Sequence, residues 1–152
     1  MYRTWYLLIG LLLWRAETAT QIGYLWSSDE LKAKSDLVVI AALIATRDTG
    51  VRTEINDLQP PFPVVELNTE FKVSSILKGT LPGETFVLRH YRLDTDRLRG
   101  GVANGVHPLD FASPGRQMEY LLFLKRDASG IFVPISGHIF PGDSVFSLRK
   151  AG

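Results

Sequence analysis

Residues 70–92, EFKVSSILKGTLPGETFVLRHYR, restrict the fold more than any other part of the chain. Apolar and polar side chains alternate on either side of Leu77-Lys78-Gly79-Thr80-Leu81-Pro82-Gly83. That period belongs to a strand, whose successive side chains point to opposite faces. Glycine supplies a positive φ where a chain reverses, and proline fixes one turn angle in advance. The stretch predicts an antiparallel hairpin. It ends in Arg89-His90-Tyr91-Arg92, so it is either barrel wall or one side of a site.

The rest of the chain supplies partners for this hairpin. Ser27 and Glu30 have capping-box spacing and predict a short helix over Ser28–Lys34, with Leu31 as its main apolar contact. LVVIAALIAT, residues 37–46, is rich in β-branched side chains and predicts a strand buried on both faces for part of its length, ended by a turn at Asp48-Thr49-Gly50. Residues 51–63 read as a loop, stiffened by Pro60-Pro61-Phe62-Pro63. The next strand covers 64–77, with Val65, Leu67, Thr69, Phe71 and Val73 on one parity and Leu77 continuing it. So long a strand calls for a bend or bulge, placed at Ser74-Ser75. Its partner is Thr85–Tyr91. Residues 93–117 hold Gly100, Gly101, Gly105, Gly115, Pro108 and Pro114 and predict a long irregular connection. Met118–Lys125 is a strongly apolar strand, Asp127–Gly130 a hairpin turn, and Ile131–Ile135 the returning strand. Pro141-Gly142 reads as a turn, followed by a short strand or helical turn from Ser144 to Leu148. Val39, Phe71, Val73, Leu122 and Phe123 sit mid-strand and are the expected core.

Five strands with a long connection between the third and fourth give a mainly β class. The best match is a five-stranded, OB-fold-like closed Greek-key barrel with a short N-terminal helix. The long, bent first strand of that fold, shared by both halves of the barrel, suits the apolar run at 37–46. A chain of 152 residues is about one domain, and 45% hydrophobic with 22% charged content is ordinary for a globular protein. The absence of cysteine excludes disulfides, thiolate metal sites and a thiol nucleophile.

The first 20 residues, MYRTWYLLIGLLLWRAETAT, place Arg3 before an apolar run from Trp5 to Trp14 and then small residues. The run is too short to span a bilayer, which takes about 20 residues. The pattern fits an export signal over 1–20, with a single domain over 21–152 and a secreted, periplasmic or cell-envelope location. The alternatives are a buried N-terminal helix or an uncleaved anchor, and only the latter would bring membrane contact. Removal of Arg3, Arg15 and Glu17 with the signal leaves 15 basic and 15 acidic residues. A partner of so neutral a domain is held by shape and local patches.

SDLVV (35–39), ELNTEFKVSSILKG (66–79), EYLLFLKRDASGIFVPIS (119–136) and IFPGDSVFSL (139–148) together resemble the netrin-like module and the N-terminal domain of tissue inhibitors of metalloproteinases. The resemblance covers about residues 30–150 and implies a secreted, non-enzymatic OB-fold barrel, here in a cysteine-free, bacterial version. In those inhibitors a free N-terminal cysteine coordinates the target's zinc. This chain has none, so that mechanism transfers to no residue.

Candidate sites are few. His90, His107 and His138, with Asp94 or Asp110, lack the close pairing of zinc ligands, so neither metal nor cofactor is expected. Ser144 with His138 lacks the Gly-x-Ser-x-Gly elbow of a hydrolase, and a turn bonding backbone near Asp143 or Ser144 accounts for it without catalysis. Arg89, Arg92, Arg97 and Arg99 lie close in sequence around Tyr91, with Asp94 and Asp96 offsetting them. Basic grooves with aromatic platforms bind single strands, but a neutral exported domain makes nucleic acid an unexpected partner. The expected binding residues are Arg89, Tyr91, Arg92, Arg97, Arg99 and His107, beside the 93–117 connection. The partner is an unidentified protein or envelope component, the alternative an oligonucleotide or oligosaccharide.

Overall fold

The computed structural model describes residues 26–56, 61–98, 108–111, 118–138 and 141–149. The expected signal segment, Arg99 and His107 lie outside these residues. Helix α1 (Ser28–Lys34) is followed by β1 (Leu37–Ile55), β2 (Phe62–Lys78), β3 (Thr85–Leu93), β4 (Met118–Arg126), β5 (Phe132–Pro134), a 3-10 turn (Pro141–Ser144) and β6 (Val145–Arg149). The protein is mainly β, with six strands in one sheet of order β1-β2-β3-β5-β4-β6.

Because β1 also pairs with β4, five strands join in a ring, and β6 flanks β4. The pairings are antiparallel except β3 with β5, which meet in parallel at Leu88 and Phe132. Strand β4 holds β1 along one edge and β6 then β5 along the other. The sixth strand corrects the count of five: after the 3-10 turn, Val145–Arg149 pairs with Met118–Leu122 rather than coiling.

The helix is set by its ends. Ser27 Oγ accepts from Glu30 N at 3.2 Å, and the Glu30 carboxylate accepts from Ser27 N at 3.0 Å, which satisfies two otherwise orphaned donors. At the other end Lys78 Nζ donates to the carbonyls of Lys32 and Ala33, at 2.7 and 3.0 Å. Leu31, Val38, Phe123 and Ile135 form a small apolar cluster, with Trp26 and Leu121 beside it.

Strand β1 runs past the expected turn. Asp48-Thr49-Gly50 is a bulge, not an end: three residues of β1 face one of β2 between the pairs Asp48↔Leu67 and Arg52↔Val65. Gly50 takes φ +82° and its N–H donates to Asp48 Oδ1 at 2.8 Å, so the turn chemistry is present but is carried inside a continuing ladder. Residues 51–55, expected as loop, are strand for the same reason: β2 offers them partners from Phe62 to Val65.

The bend expected at Ser74-Ser75 is a register shift. Ile40 faces Ser75 and Ala41 faces Val73, which leaves Ser74 as the extra residue. A second shift leaves Leu77 unpaired between Val39↔Ile76 and Val38↔Lys78, and Leu77, expected on the inward parity, is 52% exposed. Gly79 has φ +86°, and a Cβ there would meet the Asp36 carbonyl oxygen at 2.2 Å, so only glycine fits. Gly83, assigned the same role from sequence, has no positive φ.

The main core gathers on one face of the ring. Phe71 is fully buried, with Phe86 stacked on it at 5.4 Å and Phe111 and Tyr120 edge-on at 5.2 and 6.2 Å. Val39 and Leu122 belong to this cluster, Val73 packs partly against it, and Phe123 points to the helix side. Leu109 and Phe111, from the irregular connection, pack into the core as well.

Candidate functional site

The β-bulge at Ile44 decides which side chains share the outer face. Past it, Arg47 faces Asn68, which faces Arg89, and on the next outward rung Ala45 faces Glu70, which faces Val87. Thr46, Thr69 and Leu88 occupy the rung between, on the core side. A groove of about 340 Å³ opens over Ala45, Arg47, Asn68, Glu70 and Val87. A second, of about 430 Å³, lies over Leu81, Val87, Arg126, Ile131 and Phe132. Asn68 and Val87 line both, so the two form one trough across β1, β2, β3 and the β4–β5 turn.

Its walls differ. The β4–β5 turn is rigid: Asp127 Oδ1 accepts from Ser129 N at 2.8 Å and Ile131 N at 3.1 Å, and Gly130 takes φ +83°. Arg126 donates to the Gly130 carbonyl at 2.9 Å and lies over the Phe132 ring at 4.2 Å. Arg89 forms an ion pair with Asp127 and ties β3 to this turn. At the other end, Arg47 is exposed and makes no ion pair among the described residues. Asn68 Oδ1 is buried with no hydrogen-bond partner. Val87 is 41% exposed, an apolar side chain between the polar and apolar halves.

The core side carries a polar chain instead. His90 Nε2 shares a 2.7 Å hydrogen bond with Thr69 Oγ1, which in turn lies 2.8 Å from Thr46 Oγ1. Burial pushes the imidazole pKa down from 6.5 to about 4, with the nearby His138 adding to the shift. Phe111 packs edge-on against the ring at 5.3 Å.

The arginine run read from sequence is divided by strand alternation. Arg89 and Tyr91 lie on the outer side and His90 turns inward. The Tyr91 ring meets His138 at 4.7 Å, and burial, then the charge of Glu66, pushes its pKa up. Arg92 pairs instead with Asp48 at 3.5 Å, where Arg52 also binds Asp48 at 2.9 Å and approaches Asp94 at 4.0 Å. The Arg52 hydrogen bond holds the Asp48 carboxyl below its usual range. Arg97 pairs with Glu54 at 3.3 Å. The structure does not gather Arg89, Tyr91, Arg92 and Arg97 into one patch.

Ser144 is fully buried, its Oγ accepting from Ser136 N at 2.8 Å and lying 2.5 Å from Ser136 Oγ. That is the turn role expected of it. Among the described residues no three histidine, aspartate or glutamate side chains converge as metal ligands. No described helix is long and apolar enough to cross a membrane.

Arg47, Asn68, Glu70 and Val87 were missed from sequence. They come from three strands, and only the register after Ile44 brings them together. The one local signal is Val87, apolar at an outward position of its strand. Comparison with protein-family models, curated proteins and solved structures returns no match.

Proposed function

We propose that the protein is an exported, non-enzymatic binding module whose five-strand ring closes as a Greek-key barrel of the OB kind. Its two joined grooves take an extended segment of a partner polypeptide of the cell envelope. The observation that carries this reading is the continuity of the trough through Asn68 and Val87, with charged and amide groups at one end and aliphatic groups at the other. A peptide offers that mixture. The rigid β4–β5 turn and the β2–β3 loop bound the trough, and loops set on a stable scaffold are where recognition concentrates. The order of strand pairing and the netrin-like segments support the barrel, and the Arg3-to-Trp14 pattern supports export.

The oligonucleotide alternative draws less support from this surface. Sequence-tolerant single-strand binding uses exposed aromatic platforms. The aromatic rings lining the trough, Phe86 and Phe132, are 6% and 5% exposed.

Co-purification from the envelope fraction tests the reading, with wild type beside Val87→Glu. Val87 is half in solvent, so the variant keeps its thermal unfolding transition. The expected result is a protein partner retained by wild type and lost by the variant. Equal retention by both, or salt-dependent binding of single-stranded DNA in place of a protein, overturns it.

A further inference from the structure

Of the six arginines whose side chains are described, five are occupied. Arg52 and Arg92 hold Asp48, Arg89 holds Asp127, Arg97 holds Glu54, and Arg126 holds a carbonyl and an aromatic face. Arg47 has no such partner among the described residues; it is exposed and lines the first groove. Its direct cross-strand neighbour is Asn68, so the stems of the two side chains leave the same face of the sheet with their Cβ atoms about 5 Å apart. Guanidinium donors match a carboxylate in a planar, two-point contact, and an adjacent amide N–H adds a third donor.

We infer that the groove beside Arg47 is a carboxylate subsite and that the segment the trough accepts is an acidic peptide. An Asp or Glu side chain binds Arg47 and Asn68, and an aliphatic side chain rests on Val87, Leu81 and Ile131. This rests on the peptide-binding reading above. The spacing follows from strand geometry. Arg47 and Val87 are two strands and two residues apart, about 12 Å at 4.8 Å per strand and 3.3 Å per residue, and an extended peptide advances about 3.3 Å per residue. Acidic and aliphatic residues therefore stand two to four positions apart. Two carboxylates line the same groove: Asp48 is held by Arg52 and Arg92, whereas Glu70, one outward position along β2 from Asn68, opposes the acidic side chain. Glu70 disfavours segments with several consecutive carboxylates.

The test uses fluorescein-labelled octapeptides of Ser and Gly carrying one Glu and one Leu two, three or four residues apart, with Gln and Lys in place of Glu as counterparts. Fluorescence polarisation is read for wild type, Arg47→Gln, Arg47→Glu and Glu70→Gln. The wild type is expected to prefer the Glu peptide over the Gln peptide by about fivefold, the size of one partly exposed charge-assisted contact. Arg47→Gln removes that preference, Arg47→Glu transfers it to the Lys peptide, and Glu70→Gln strengthens Glu-peptide binding. Peptides that bind without regard to charge, or a preference that survives Arg47→Gln, overturn the carboxylate subsite and leave peptide binding standing. No binding of any peptide, with binding of an oligonucleotide or a neutral oligosaccharide instead, overturns both.

Discussion

His90 gives this protein a calculable sensitivity to acid. Its ring is 2% exposed and bonded to Thr69, and its pKa lies at about 4 instead of 6.5 because a charge there would lose its hydration. The unfolded chain gains a proton as pH falls through about 6.5, while the folded protein gains none until pH nears 4. Stability from this group is therefore complete above pH 6.5, declines as pH falls, and levels off below about pH 4. At roughly 1.4 kcal/mol per pH unit the loss is about 3 kcal/mol, a large part of a domain's 5–15 kcal/mol. Asp48 acts in a different window: its contribution is present above 3.8 and lost as pH falls through its lower folded value. That window lies below 3.8 and the His90 window between about 4 and 6.5, so the two are separable. Urea unfolding at pH 7.5, 6.5, 5.5 and 4.5 measures the slope, and His90→Leu provides the control. The variant leaves Thr69 Oγ1 paired with Thr46 and has no proton to gain, so its stability is expected to be nearly flat across that range. An unchanged slope in His90→Leu would show that some other group carries the acid sensitivity.

Two further outcomes follow from the core. Phe71→Ala removes a fully buried ring at the centre of the aromatic cluster and is expected to cost about 3–5 kcal/mol in urea unfolding, with a loss under about 1 kcal/mol refuting its central place. Replacing residues 96–113 with a short Gly-Ser linker is expected to abolish cooperative thermal unfolding, because Leu109 and Phe111 leave the core with it; a variant that keeps the wild-type transition would show that they contribute nothing.

The sequence was legible where a local rule and the tertiary fold agree. The capping box at Ser27 and Glu30, the alternation through Val65–Phe71, the bulge at Ser74 and the Asp127–Gly130 turn all formed as their chemistry requires. It misled where one local signal was stronger than it looked in context. Asp48-Thr49-Gly50 has every mark of a turn, but β2 supplies backbone partners on both sides of it, and a β-bulge absorbs the extra residues at lower cost than breaking the ladder. The connection at 93–117 reads as pure loop from its glycines and prolines, yet its Phe111 contacts Phe71, His90 and Tyr120.

The site was much less legible, for a geometric reason. Arg89, His90, Tyr91 and Arg92 look like one cluster when written in a line. A strand alternates them, so His90 enters the core while Arg89 joins the β4–β5 turn, and Arg92 reaches Asp48 on β1. The trough is built the opposite way, from residues far apart in sequence. Arg47 meets Asn68 only because Ile44 is an extra residue in β1; were Ile44 to pair in a regular ladder, Arg47 would face Leu67 on the core-side rung. Whether Ile44 bulges out of the ladder or pairs within it thus decides whether the guanidinium stands over the groove or over the core. Deleting Ile44 takes out only the unpaired residue, so Arg47 stays opposite Asn68 and binding that depends on it is expected to persist, as is the Thr46–Thr69 contact; loss of either would refute this account of the register.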